Sequence, residues 1–155
     1  AFVSGPLRLH SAQSCLAAFK KALGECGIPV DEALMIEGDH TMEGGMTAAQ
    51  KLMTLKDLPT AIMCSNDMLA IGVMHQLSRS GLHVPDDISI IGFDNSPLCE
   101  YTDPQLTSVS ISRKEIAQRA VETLIGMIEQ DRPGEELHIS TELIMRESVG
   151  RPRRP

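Results

Sequence analysis

Short apolar runs of strand length alternate with stretches of helical period along this chain, and that alternation constrains the fold more than any single motif. Apolar runs predict strands at residues 1–4, 33–36, 60–64, 88–93 and 106–111, closed by turn formers such as Gly5-Pro6 and Gly38-Asp39. Between them, Cys15, Leu16, Phe19, Ala22, Leu23 and Cys26 recur at helical spacing until Gly27 and Pro29 stop the pattern. Ala48, Ala49, Leu52 and Met53 mark a second helix over 43–55, whose start Gly44 and Gly45 weaken. Ala70, Ile71, Met74 and Leu77 mark a third, with Gly81 as its C-terminal cap. Ser112 and Glu115 have the spacing of a capping box and open a fourth helix over 112–128. Residues 138–145 alternate polar and apolar, as an edge strand with one wet face does. The nearly continuous run at 88–93 suits a strand buried on both sides. Repeated strand–helix–strand units thus predict an α/β fold: a doubly wound parallel sheet with helices on both faces and right-handed crossovers. Ligands of such sheets bind beyond the carboxyl ends of the strands, here residues 5–14, 39–43, 64–67 and 94–103.

At 155 residues the chain is long enough for one domain with its own core. Its formal net charge of -7 argues against a free-standing nucleic-acid binder, whose affinity comes from neutralising phosphates. The one basic cluster, Arg151, Arg153 and Arg154, lies in a proline-spaced tail over 150–155 that reads as a solvated end. Four cysteines, at 15, 26, 64 and 99, show no CxxC pairing and read as reduced thiols of a cytoplasmic protein. No apolar run reaches the roughly 20 residues that span a bilayer. The chain opens inside an apolar run, so we expect it to be part of something longer.

Enzyme signatures are missing: no GxSxG elbow, no phosphate-binding GxxxxGK loop, no HExxH metal pair. We therefore expect no enzyme and no cofactor. Cys64 with His10 or His40 is conceivable as a thiol–imidazole pair or a soft metal site, against a buried thiol beside two loop histidines. Asn66, Asp67 and Asp94 each follow an apolar strand, where amides and carboxylates suit hydrogen bonding to a small polar ligand. The competing reading is structural: Asn66 or Asp67 caps the third helix, and Asp94-Asn95 turns the chain before Pro97.

Ser65-Asn66-Asp67-Met68-Leu69-Ala70-Ile71-Gly72, then Val84-Pro85-Asp86-Asp87-Ile88-Ser89-Ile90-Ile91-Gly92-Phe93-Asp94, closely resemble the lactose/galactose repressor family of bacterial transcriptional regulators. Pro104-Gln105-Leu106-Thr107-Ser108-Val109 and Leu143-Ile144-Met145-Arg146-Glu147-Ser148 match later landmarks of the same family. The resemblance implies one lobe of a bilobed, periplasmic-binding-protein-like effector domain. Residues 1–112 and 137–149 would form the C-terminal lobe, residues 113–131 a helix crossing to an N-terminal lobe, and the DNA-binding headpiece would be absent. It further implies a small-molecule effector, operator DNA contacted only through the headpiece, no membrane, and a homodimer.

Carried over by position, Asp94 matches the aspartate that holds effector hydroxyls, and Asn66 a polar residue of the cleft. His40 falls where some members place an aromatic on the ligand, and Ser11 matches a small hydroxyl of the first loop. Cys15 departs from the pattern, because members that bind sugars or purines carry an arginine there, and a thiol cannot supply its two cationic donors. Arg8, in the same loop, is a candidate substitute. The alternative reading on the same fold is a periplasmic solute-binding protein of a sugar transport system. Four unpaired cysteines and the Leu-Ile-Met-Arg-Glu-Ser ending speak against it.

Overall fold

The apolar runs pair into a single six-stranded sheet in the computed structural model, which describes residues 1–130, 133–134 and 136–152. The strands are β1 (Phe2–Ser4), β2 (Met35–Glu37), β3 (Ala61–Cys64), β4 (Ser89–Phe93), β5 (Thr107–Ile111) and β6 (Thr141–Ile144), in the order β2-β1-β3-β4-β5-β6. All neighbours run parallel except β6, which closes one edge antiparallel to β5. Four helices join them: α1 (His10–Glu25), α2 (Met42–Met53), α3 (Asp67–Arg79) and α4 (Arg113–Gln130). Two strands are shorter than the sequence predicts. Residues 32–34 form a 3-10 turn, opened by the Asp31 carboxylate on the Ala33 amide, so β2 starts only at Met35. The alternating stretch 138–145 pairs over four residues alone.

Connection direction decides which face each helix covers. The β1-to-β2 step runs one way along the sheet, and the β2-to-β3 and β3-to-β4 steps run the other way. With right-handed crossovers, α1 lies on one face and α2 and α3 on the opposite face. Residues pointing to the α2–α3 face are sealed: Val3, Ile62, Cys64 and Ile90 are buried, packed with Leu52, Leu69, Val73 and Leu77.

The two inner helices approach each other through glycine. A Cβ on Gly45 would run into the Leu69 carbonyl, and one on Gly72 into the Met42 carbonyl. This close crossing is the physical reason for the glycine in the first turn of α2, where helix propensity alone disfavours it. At their ends, Thr41 caps α2 by accepting the Gly44 amide at 3.0 Å, and Ser112 accepts the Glu115 amide at 3.2 Å. Gly27 and Gly81 take positive φ (69° and 77°) beyond α1 and α3, as their position in the sequence predicts.

The closing segment is stitched beneath β4 and β5. Buried Ser148 donates its hydroxyl to the Ile90 carbonyl at 2.6 Å and accepts the Thr107 amide at 2.9 Å. Gly150, assigned by the sequence to the tail, is still tied in, donating its amide to Ser89 Oγ at 3.1 Å. Arg153 and Arg154 lie outside the described residues.

Candidate functional site

Strand order reverses direction between β1 and β3, so the loops leaving their carboxyl ends diverge and open a crevice there. His40, from the loop after β2, leans over this point. Its ring lies so close to Gly5 that a Cβ on Gly5 would collide with it. Asn66, leaving β3, caps α3 by accepting the Leu69 amide at 2.9 Å and donates its amide to the His40 carbonyl at 3.1 Å. Both ends of Asn66 are thus committed, and its first task is to hold His40 in place. His40 Nδ1 is buried without a hydrogen-bond partner.

Asp94 leaves β4 opposite. Burial pushes its carboxyl above the ordinary 3.8; the negative charge of Asp67 adds to this, while Arg113 and His40 pull the other way. His40 (φ 68°), Asp94 (φ 106°) and Asn95 (φ 48°) are the non-glycine residues with positive φ among the described residues. Such conformations cost about 1–3 kcal/mol each, less for Asn and Asp, and persist only where surrounding contacts hold them.

Those contacts are visible beneath the turn. Asp67 is 1% exposed, and its two carboxylate oxygens accept the Ser96 amide and the Ser108 hydroxyl, both at 2.6 Å. Ser108 Oγ in turn accepts the Asn95 amide at 3.1 Å. Asp67 therefore braces the turn from inside and is not free to meet a ligand, which corrects the sequence expectation for this residue. Gly92 makes room for it, since a Cβ there would collide with the Asp67 carboxylate. Arg146 braces the other side, donating to Asn95 Oδ1 and to the Leu106 carbonyl, each at 2.8 Å. Residue-by-residue reading missed Ser108 and Arg146 as supports. Arg146 was visible only as part of the Leu-Ile-Met-Arg-Glu-Ser landmark.

A family model described as a periplasmic binding protein-like domain matches residues 1–149. The chain belongs to the periplasmic-binding-protein-like domain family. Within that family its homologues are repressors of the lactose/galactose type. It is 38% identical over 148 residues to the HTH-type transcriptional repressor CytR of Escherichia coli K12, covering 95% of this chain and 43% of that protein. A sugar-binding LacI-family regulator from Escherichia coli, solved with phosphate, superposes with a TM-score of 0.87 at 33% identity, covering 96% of this chain and 54% of that one. The lac repressor dimer bound to operator and an anti-inducer superposes at 0.89 and 27% identity, covering 96% and 51%. The chain thus spans about half the length of the proteins it matches.

In this periplasmic-binding-protein-like domain, the remaining expected residues do not all converge. Ser11 is exposed in the first turn of α1, and no hydrogen bond joins it to His40, Asn66 or Asp94. Cys15 lines an apolar hollow of about 260 Å³ with Phe19, Ser65 and Phe93, next to the residues that directly precede Asn66 and Asp94. Arg8 lines a different hollow, among Glu37, Asp39 and Glu43, and so does not take the place of an arginine at 15. Cys64 is fully buried, and burial drives its thiol far above the ordinary 9.0, the reverse of an activated nucleophile. His10 sits on exposed α1 beside Ser14, and no metal-binding cluster exists among the described residues. Burial of Cys64 and the raised thiol speak against the thiol–imidazole reading.

Proposed function

We propose that this chain is the C-terminal lobe of the effector-binding domain of a ligand-responsive transcriptional repressor. In this reading, residues 1–112 and 137–149 form the lobe and residues 113–131 a helix made to pack on an N-terminal lobe. The effector is a small polar molecule bearing hydroxyls (a sugar, nucleoside or related compound), and the lobe works as a homodimer. The regulator is cytoplasmic, without enzymatic activity, and reaches operator DNA through a separate headpiece.

One observation carries the effector site: left-handed His40, Asp94 and Asn95 converge at the strand-order switch, held there by Asn66, Asp67 and Arg146. Backbone kept in costly conformations by dedicated braces is the mark of a positioned ligand group. The Asp94 carboxylate offers acceptors to hydroxyls, and Cys15 leaves the cleft without the cationic fork that the family resemblance places at this position. That balance favours a neutral polyol over an anion.

A thermal-shift screen of the chain against sugars, nucleosides and phosphosugars tests this. A ligand at ten times its Kd stabilises by about 1.4 kcal/mol, a rise of about 3–6 °C for a domain of this size. The shift should vanish in Asp94→Asn, and Cys15→Arg should change which ligands are accepted. A shift that survives Asp94→Asn unchanged would sink the site.

A further inference from the structure

The turn after β4 rides on the end of β5. In the parallel register Phe93 stands beside Val109, and the Asp94 amide donates to the Val109 carbonyl at 2.9 Å. β5 continues past that point to Ile111, so its last residues run beyond the end of β4 and flank the turn. Asn95 Nδ2 reaches the first of them, Ser110 Oγ, at 3.4 Å. Ser112 then caps α4, accepting the Glu115 amide with its hydroxyl and the Ile116 amide with its carbonyl. Arg113 is therefore the first residue of a helix that starts next to the turn carrying Asp94.

Two opposite charges meet there without pairing. Among the described residues, no group donates a hydrogen bond to the Asp94 carboxylate, and the Arg113 guanidinium makes no direct ion pair. The guanidinium is still close enough to favour the ionised form of Asp94, against the burial and the Asp67 charge that oppose it. Asp67 is held by Ser96 and Ser108, and His40 lies over Gly5, whereas Arg113 stands exposed. α4 does not itself explain an arginine here. The positive end of the helix dipole disfavours a cation in the first turn, where Glu115 is the favoured charge.

A carboxylate only accepts hydrogen bonds, a guanidinium only donates them, and a hydroxyl does both. Two hydroxyls on adjacent carbons can therefore serve the two groups together. A lone anion would meet the repulsion of Asp94, and a lone cation that of Arg113.

We propose that Arg113 is a specificity-determining residue of the effector site and that, with Asp94, it grips a vicinal diol. One hydroxyl donates to the Asp94 carboxylate while its neighbour accepts from the Arg113 guanidinium. From the start of α4, Arg113 thus returns to the cleft the donor function that a thiol at position 15 cannot supply. This rests on the proposed effector site and narrows its ligand to compounds with hydroxyls on adjacent carbons. Because α4 is read as crossing to an N-terminal lobe, a diol held this way also ties that helix to the turn after β4.

The test is binding of D-galactose, D-ribose and adenosine to the 155-residue chain, by thermal shift and titration calorimetry. Each diol is measured beside the two analogues that lack one or the other of its adjacent hydroxyls. At least one diol should bind, and its analogues should bind about 10- to 100-fold more weakly, as expected for a lost hydrogen bond to a charged group. Arg113→Gln should weaken the diol by a similar factor yet cost nothing further with one of the analogues. Asp94→Asn should cost nothing further with the other. Arg113→Lys keeps the charge but not the fork and should recover only part of the affinity. Lys114→Gln removes the same charge one residue along and should leave binding unchanged. Without ligand, these α4 variants should unfold like the parent chain, because both side chains are exposed. Diol binding that needs Asp94 but is unmoved by Arg113→Gln would overturn the role of Arg113 and leave the effector site standing. Dependence on Arg113 that appears only with ribose phosphate would overturn the diol in favour of an anion. If no diol binds at all, the grip and the effector site fall together.

Discussion

Asp67 and Asp94 are two carboxylates at the ends of neighbouring strands, and their environments assign them opposite effects on stability. Asp67→Ala removes the acceptor of the Ser96 amide and the Ser108 hydroxyl, two charge-assisted bonds of 2.6 Å in a site 1% exposed. Both donors are then left without their acceptor, and the loss should come to about 3–5 kcal/mol. At roughly 2–4 °C per kcal/mol, the melting temperature should fall by about 6–20 °C.

Asp94→Asn should behave differently. Its carboxyl lies above the ordinary 3.8 in the fold, so folding favours the protonated form. The stability this contributes is fully present below the unfolded value and is lost as pH rises through the folded one. Near pH 7 the ionised wild-type side chain is therefore a burden that the neutral amide lacks. The variant should match or exceed wild type there, and the two should converge as the pH falls below 3.8. Thermal unfolding followed by circular dichroism across that pH range measures both. A melting temperature for Asp67→Ala within about 2 °C of wild type would refute the bracing role. An Asp94→Asn loss as large as that of Asp67→Ala would refute instead the ligand role of Asp94, because Asp94 would then be a structural turn residue rather than a side chain kept for a ligand.

Two glycines separate backbone freedom from close packing. Gly72→Ala should destabilise by about 1–3 kcal/mol, since its Cβ meets the Met42 carbonyl and α2 must back away from α3. Gly24→Ala, with open space around it in α1, should stabilise by up to about 1 kcal/mol, and equal melting shifts for the two would count against the crossing. The thiols should sort by burial: Cys26 reacts with a thiol reagent in the native state, while Cys64 and Cys99 react only on unfolding. Burial pushes the Cys99 thiol up to about 11 and Cys64 higher still, so rapid native labelling of either would contradict the packing.

Local pattern carried most of the architecture. The period-2 and period-3.6 runs located all six strands and four helices to within a few residues, because each element shows its buried side as spacing along the chain. Ser112 and Glu115 announced the start of α4, and Gly27 and Gly81 the ends of α1 and α3, since caps are made by residues adjacent in sequence. Asp94 and Asn66 were legible as strand-end polar residues. What they do was not: Asn66 reaches back 26 residues to hold the His40 carbonyl, and Asp67 reaches forward to Ser96 and Ser108. Whether a strand-end carboxylate points into the cleft or into the core depends on one step of the backbone, and that step is set by the partners waiting on each side. The same holds for Gly45 and Gly72, which look like weaknesses in isolated helices and become necessities only when two helices cross at backbone contact. Spacing also marked the apolar stripe of α4, but only the tertiary structure shows that its Ile116, Val121, Leu124, Ile125 and Ile128 stand exposed. Sequence spacing determines which side of an element is apolar; three-dimensional packing decides what, if anything, covers it.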